Sequence, residues 1–513
     1  MFSVRPVSRA LAAAFVICWI STVATAQTGV STPAQRIAAQ QSAFAAATTP
    51  LARLQALYRI EDLAPLATTA ELDAVWTKLA ATPGLDPLLS AEIEAQQVVT
   101  ALRRGDAPAA AALVARLGAV EHWQVLGPFD NSSPSAMATE EGPEKGPIDL
   151  KASYSGKQRK VSWRAVPFTA GLGEMNLGAY LNPSQSVAAY AVTWVRSDTA
   201  QPVALRLRDD GATRLWVNGK LVYQETGTHS SHGWDQHAVG ARLDAGWNQI
   251  LAKVGVGETS DWRFSLRLTT PDGQPLALPS SDEPHAPAAA AAGGEAPAVR
   301  DLSALAQQAA SAPTATANDK LAYAWLLAEK LNFNTGDHKD VNAFLDAQAA
   351  FPADSPEQAG ALVDFVEHDH DISRRYQYLQ QLLQAQPRSP WAAEARLDRG
   401  MLELGRGAYQ PARDDFWSAL GGAGASDAGE TAGAAQIQKS PMAALGMFEV
   451  YAAVGLRPQA LAWAAAIQQA GVALPAVSEA VGITLRRVGP LTLARQWMQA
   501  AQQQGAYDMT LAL

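Results

Sequence analysis

Apolar residues recur at helical spacing over residues 35–47, 51–63, 69–81 and 90–104, and a last short helix is expected over 109–117. Pro83-Gly84 with Pro87, and then Gly105-Asp106-Ala107-Pro108, supply the breaks between the later ones. Thr69 and Ser90 read as N-cap residues followed three places on by leucine and isoleucine, so neither completes a capping box. These helices pack against one another or against later ones, since each has an apolar face to cover.

The period changes at Glu121. Residues 122–130 read as a short strand ending in a Gly-Pro turn, and a loop rich in proline, glycine and acids follows over 131–149. Strand-like runs then come at 161–166, 186–196, 203–208, 214–217, 220–224, 237–243, 248–254 and 262–269, parted by Asp209-Asp-Gly211, Asp244-Ala-Gly246 and Pro271-Asp-Gly273. Between two of these runs, Asn218-Gly219 calls for a two-residue type I′ turn with φ positive at both residues. Alternation puts Leu215 and Val217 on one face of that strand and Trp216 on the other. So many short strands at this spacing suggest a jelly-roll-type sandwich.

Residues 279–300 are a Pro/Ala/Gly stretch without periodicity and read as a linker. Beyond them the helical period returns. Ser355-Pro356 and Ser389-Pro390 stand 34 residues apart, the tetratricopeptide period. Gly400, Gly407, Tyr409, Ala412, Phe416 and Ala419 then fall where such a repeat places small or aromatic packing residues, Tyr409 and Phe416 filling the gap to the next pair. An insertion over 421–439 interrupts the register. The expected chain is multidomain α + β: signal peptide 1–26, helical N-terminal segment 27–120, β-sandwich 121–278, linker 279–300, and a C-terminal tetratricopeptide-like α-solenoid over 301–513.

Charge and cysteine usage narrow the function. The formal net charge is −9, and removing the leader arginines Arg5 and Arg9 takes it to −11, which argues against nucleic acid as a partner. Residues 1–26 pair a basic start with an apolar run over 10–23 and an Ala24-Thr-Ala26 cleavage site, so the mature chain is expected in the periplasm or secreted, without a membrane span. The sole cysteine, Cys18, leaves with the leader. No disulfide, thiolate nucleophile or cysteine metal ligand remains.

Candidate chemistry is sparse. His229, His232, Asp235 and His237 are metal-ligand types crowded into nine residues, at a spacing that fits no helix face. Glu367-His-Asp-His-Asp371 is a second such cluster, expected as a solvated acidic turn. Gly255-Val-Gly257 lacks the lysine and the helix of a phosphate loop, and no serine-hydrolase, zincin or dinucleotide motif occurs. No cofactor is expected. The tryptophans of the β region carry the one ligand suspicion: Trp216 and Trp234 are candidates for stacking on sugar rings, the alternative being core.

Trp123-x-Val-x-Gly127-Pro-Phe-Asp-Asn131, Trp216-Val-Asn-Gly219 and Leu243-x-x-Gly246-Trp-Asn248-x-x-Leu251-x-Lys253 together resemble the galactose-binding-like (PA14-like) sandwich of large bacterial envelope proteins. In that group a helical segment, this sandwich and tetratricopeptide repeats precede a DUF3857 β domain and a transglutaminase-like domain. The resemblance covers residues 27–513, and the thiol chemistry of the catalytic part has no counterpart here. It implies a non-catalytic periplasmic scaffold that holds an envelope protein through its helical repeats. The alternatives are a glycan-binding accessory protein, with polysaccharide as the partner, or a truncated relative of the transglutaminase-like proteins.

Overall fold

The structure is a computed structural model. It describes residues 32–504 apart from 134, 167–172, 210, 227–234, 259–261, 287–293, 331–338, 370 and 423–430; the leader with Cys18, and His229, His232 and Trp234, lie outside the described residues. Helices come first, antiparallel sheets occupy the middle, and helices return to the end.

The N-terminal helices are α1 (Pro33–Ala46), α2 (Pro50–Leu63), α3 (Thr69–Ala80), α4 (Pro87–Arg103) and α5 (Ala107–Arg116). Their starts lie slightly upstream of the sequence expectation. Thr68, not Thr69, caps α3, and with Glu71 it closes a full capping box. Asp86 caps α4 ahead of Pro87, displacing Ser90 into the helix. In both cases an upstream side-chain oxygen, one residue earlier at Thr68 and four earlier at Asp86, reaches an N–H that would otherwise lack a partner.

The β region has two facing sheets. The larger runs β4 (Arg164–Ala165), β1 (Gln124–Asp130), β6 (Val187–Ser197), β11 (Gly246–Val256), β8 (Ala212–Val217), β9 (Lys220–Glu225), with β13 (Ser280–Ser281) also on β6. The smaller runs β10 (His237–Leu243), β7 (Gln201–Asp209), β12 (Arg263–Thr269), β5 (Glu174–Asn176). A separate ribbon pairs β2 (Ser153–Ser155) with β3 (Lys160–Ser162), and a short helix α6 spans Leu177–Tyr180. Gly127-Pro128 lies inside β1, where its register on β6 shifts, rather than ending the strand.

Asn218 and Gly219 have φ of 49° and 79°, as the two-residue turn requires. Leu215 and Val217 enter the core between the sheets, which also holds Trp123 and Trp262. Trp216 turns outward with Trp163, Trp194 and Tyr190, into a second apolar layer packed against Ile148, Leu150 and Tyr154. The stretch 279–300 is not a free linker: Ser280 and Ser281 pair with β6, and Trp247 stacks on His285 with ring centroids 3.7 Å apart.

After α7 (Leu302–Ser311) the helices come in pairs: α8 (Ala317–Lys330) with α9 (Lys339–Ala350), α10 (Pro356–His368) with α11 (Ile372–Ala385), and α12 (Ala392–Gly405) with α13 (Tyr409–Ala419). The short α14 (Ala434–Lys439) belongs to the insertion. Two further pairs follow, α15 (Pro441–Ala453) with α16 (Arg457–Gln469) and α17 (Pro475–Val488) with α18 (Leu491–Gln503). The 34-residue step recurs between Pro441 and Pro475, each the first residue of its helix. Phe416 is the wedge between pairs: a Cβ at Gly400 would meet its ring at 2.8 Å, and one at Gly446 at 2.6 Å. Tyr409 does not share that role, being 37% exposed at the first position of α13.

One apolar core joins the two helical segments, running from Ile37 through Ile93 and on from Leu302 to Trp497. The β region is therefore an insertion in a helical unit. Arg267 on β12 fastens it: Nε donates to Asp235 (2.7 Å), one terminal N–H donates to the same carboxylate, and the other donates to the Leu117 carbonyl (3.2 Å) at the end of α5. Arg300 donates to Asp86 (2.6 Å) at the start of α4.

Candidate functional site

The helix α2 buries Leu54, Leu57, Ile60 and Leu63, a stripe at three-residue steps, and sinks Arg59 beside it at 4% exposure. A guanidinium cannot lose its water without acceptors in place. Arg59 donates to Asp364 Oδ2 of α10 (2.9 Å), and the same oxygen accepts from Trp325 Nε1 of α8 (3.1 Å). The Trp325 ring lies 5.9 Å from the guanidinium carbon. His368, one turn on from Asp364, sits edge-on to Trp325 and stacked on Phe344, its Nδ1 2.8 Å from the Asp364 carbonyl.

The seam continues along the array. Arg36 of α1 pairs with Glu394 of α12 at 3.4 Å. Residues 64–66 pack on α17, and Ile37, Leu66 and Val75 face Pro441 and Leu474 across an apolar cavity of about 510 Å³. The N-terminal helices thus lie across the first helix of every pair, from α8 to α17.

The charge of this seam is uneven. Neither carboxylate oxygen of Glu367 has a hydrogen-bond donor among the described residues. Burial first, and then the negative charge of Asp398, Asp62, Asp364 and Glu394, push its carboxyl well above the usual range. Asp398 is pushed up in the same way, by burial and then Glu394, with Arg375 and Arg36 pulling against the rise. These acids are held neutral at pH values where free ones ionise. Farther along, burial raises Glu449 of α15 to about 7 although Thr484 donates to it at 2.7 Å. In the cluster expected as a solvated turn, Glu367 and Asp369 are instead buried and His368 is half-buried, while Asp371 is exposed. Burial pulls the Asp369 carboxyl up, but a two-armed bond from Arg374 holds it below the usual range.

Of the four metal-ligand candidates the structure describes Asp235 and His237. Asp235 is spent on Arg267, and His237 packs its ring against Tyr223, centroids 5.3 Å apart. Among the described residues no cluster of three or more His, Cys, Asp or Glu is placed to hold a metal ion. Trp216 is 7% exposed, within the outer layer and beside Arg214 at 5.1 Å, and so presents no open face for a sugar ring.

A site that sequence reasoning passed over lies on the outer face of the large sheet. Lys253 is 1% exposed and donates to the carbonyls of Ala136 (3.2 Å), Met137 (3.3 Å) and Thr139 (2.6 Å). Burial lowers its pKa, with Glu144 and Glu141 opposing. The Tyr190 hydroxyl donates to Glu144 at 2.6 Å. The signals for both sites are a charged residue inside an apolar run: Arg59 in Leu57-Tyr-Arg-Ile60, Asp364 in Leu362-Val-Asp-Phe-Val366, Lys253 in Ile250-Leu-Ala-Lys-Val254.

The fold and its buried charge define a mixed α/β chain in which helices embrace an inserted antiparallel unit. No family model, no curated protein and no solved structure matches it. No described helix is long and apolar enough to cross a membrane.

Proposed function

We propose that this protein is a non-catalytic binding scaffold of the periplasm, released from its leader. Its helical pairs form a tetratricopeptide-like array and its inserted unit is a jelly-roll-type, galactose-binding-like module. The observation that carries the reading is what the buried charges do. Arg59 with Asp364, Arg267 with Asp235, and Lys253 with its carbonyls each tie one segment of the chain to another. Such ties suit a rigid frame whose work is done by its surfaces.

The reading also moves the partner. Helical-pair arrays bind through extended surfaces lined by their first helices. Here α1 and α2 already cover that row and bury Phe44, Leu57 and Ile60 completely. An envelope protein is therefore held on the remaining faces. Photo-cross-linkers placed one at a time at the exposed Gln381, Gln496 and Leu221 of the exported protein test this, with a discrete adduct to one envelope protein expected at the helical positions. Turnover of a glycan or peptide by purified protein, surviving rigorous removal of contaminants, overturns it. Adducts only to polysaccharide, and only from the β region, would replace it with the glycan-binding alternative.

A further inference from the structure

Among the described residues the large hydrophobics left exposed are Leu221, Ile372, Tyr409, Val454, Leu456 and Leu491. All but Leu221 stand at the turn between the two helices of a pair. Ile372, Tyr409 and Leu491 are the first residues of α11, α13 and α18, and Leu456 is the residue before α16. Helix starts ordinarily carry capping side chains, proline or acids. None of these four helices has an acid in its first turn, although Asp371 caps α11; of the first helices, α10 and α12 have Glu357 and Glu394 and α15 and α17 have none.

The turns share an edge. Each connection within these pairs is only two or three residues long, which sets the paired helices antiparallel, and α15 packs against both α12 and α17. The first helices therefore point the same way and their ends line up. The opposite edge, at 351–355, 386–391 and 470–474, carries no exposed large hydrophobic.

Charge on this edge runs against that of the chain. Arg406, Arg457, Arg486, Arg487 and Arg495 are exposed there, in a protein of net charge −9. Asp371 is spent as the cap of α11, and Asp414 is paired with Arg413. Single apolar tips, one or two per pair, offer a rigid protein surface little continuous area to grip. A fluid interface accepts each tip separately, and arginines beside them suit anionic headgroups.

We propose that this edge docks the helical unit on an anionic bilayer surface, with Ile372, Tyr409, Val454, Leu456 and Leu491 entering the headgroup boundary and the arginines binding the headgroups. The contact goes beyond the scaffold reading and stands whether or not a protein partner is also held.

The test is vesicle flotation of the chain expressed from Gln27, so that the apolar leader contributes nothing. Vesicles of phosphatidylcholine alone are compared with vesicles containing about a third phosphatidylglycerol. Binding to the anionic vesicles is expected to be at least about tenfold tighter and to weaken with salt. Changing Ile372, Tyr409, Leu456 and Leu491 together to serine should lower it by about tenfold or more. Changing Arg457, Arg486, Arg487 and Arg495 together to glutamine should abolish the preference for anionic lipid. Leu221→Ser should change nothing. All these positions are exposed, so circular dichroism and Tm should match the parent and establish that the variants are folded. Failure of the parent to bind anionic vesicles at low salt overturns the proposal. So does binding undiminished by the serine variant, equal loss from Leu221→Ser, or an acidic protein bound through this edge by a chain that ignores vesicles.

Discussion

The helical unit and the β region each have a segment laid over a finished surface and pinned by buried charge, but they balance that charge differently. Over the large sheet, residues 136–139 are held by Lys253, whose ammonium meets the carbonyls of Ala136, Met137 and Thr139. A cation is set there against neutral dipoles, with Glu141 and Glu144 near. Under α1 and α2, Arg36 and Arg59 are set against carboxylates, and burial pushes the Glu367 and Asp398 carboxyls well above the usual range although Arg375 lies near. The first arrangement has no acid whose ionisation would loosen it near neutral pH. The second has two. Burial lowers the Lys253 pKa, so any pH response of the carbonyl-bound roof should have the opposite sign to that of the carboxylate-bound one.

Breaking the seam should have the largest effect. Arg59→Met leaves the fully buried Asp364 carboxylate with only Trp325 as a donor, and removing one member of a buried pair costs about 3–5 kcal/mol. Urea unfolding of the full chain measures it, with Arg116→Met as control. Arg116 is 63% exposed in its pair with Glu94, and an exposed pair is worth about 0–1 kcal/mol. Equal effects from the two variants would mean that apolar burial alone holds α2.

Lys253→Met should come next. It keeps the aliphatic stem and removes the donors, stranding buried carbonyls at a cost of about 1–3 kcal/mol. Because burial lowers the folded-state pKa of Lys253, the comparison predicts that this loss is no smaller at pH 8 than at pH 5.

The seam should behave otherwise. Burial raises the folded-state pKa of Glu367 and Asp398 above their unfolded values near about 4. The stability carried by the neutral forms is thus complete below the unfolded pKa and is lost as pH rises through the folded values. Glu449, raised from 4.5 to about 7, adds to the loss in that interval. Unfolding free energy should fall as pH goes from about 5 to 8. Glu367→Gln, a neutral side chain of nearly the same shape, should flatten the fall and be the more stable form at the alkaline end. A parent with no such slope would show that the carboxylates reach water.

What could be read in advance divides along the same line. The strands over 186–269 and the second helical period were legible because strand alternation, turn residues and helix spacing are local. The charged seam was not, because Arg59 and Asp364 are 305 residues apart and neither makes sense without the other. Glu367 to Asp369 were misread for a related reason: their composition is polar, yet Glu367 and Asp369 are buried and His368 packs against Trp325 of α8 and Phe344 of α9, residues distant in the chain. Proline and alanine content suggested a loose tether at 279–300, but Ser280 and Ser281 find open backbone partners on β6 beyond the point where β1 leaves it. Tyr409 matched a packing position by spacing alone and ended on the exposed edge, because it is the first residue of α13.

The smallest effect belongs to the hairpin, the most local feature of all. Gly219 has φ of 79°, and a Cβ there would meet nothing within 4 Å, so space is not the constraint. Only backbone strain opposes a side chain. A β-branched residue in the left-handed region is disfavoured by about 1–2 kcal/mol, and Gly219→Val should cost roughly that much. Asn218 at φ 49° should resist less when changed to glycine, losing chiefly the amide bonds to Asn248 (2.8 Å) and the Gln249 N–H (2.9 Å) that tie the turn to β11. The cost of Gly219→Val should not vary with pH, since neither the strain nor its relief involves a titrating group. An unchanged Tm would mean that the turn relaxes to another type without loss, and that the β region is less strictly specified by its turns than the buried lysine and arginine ties imply.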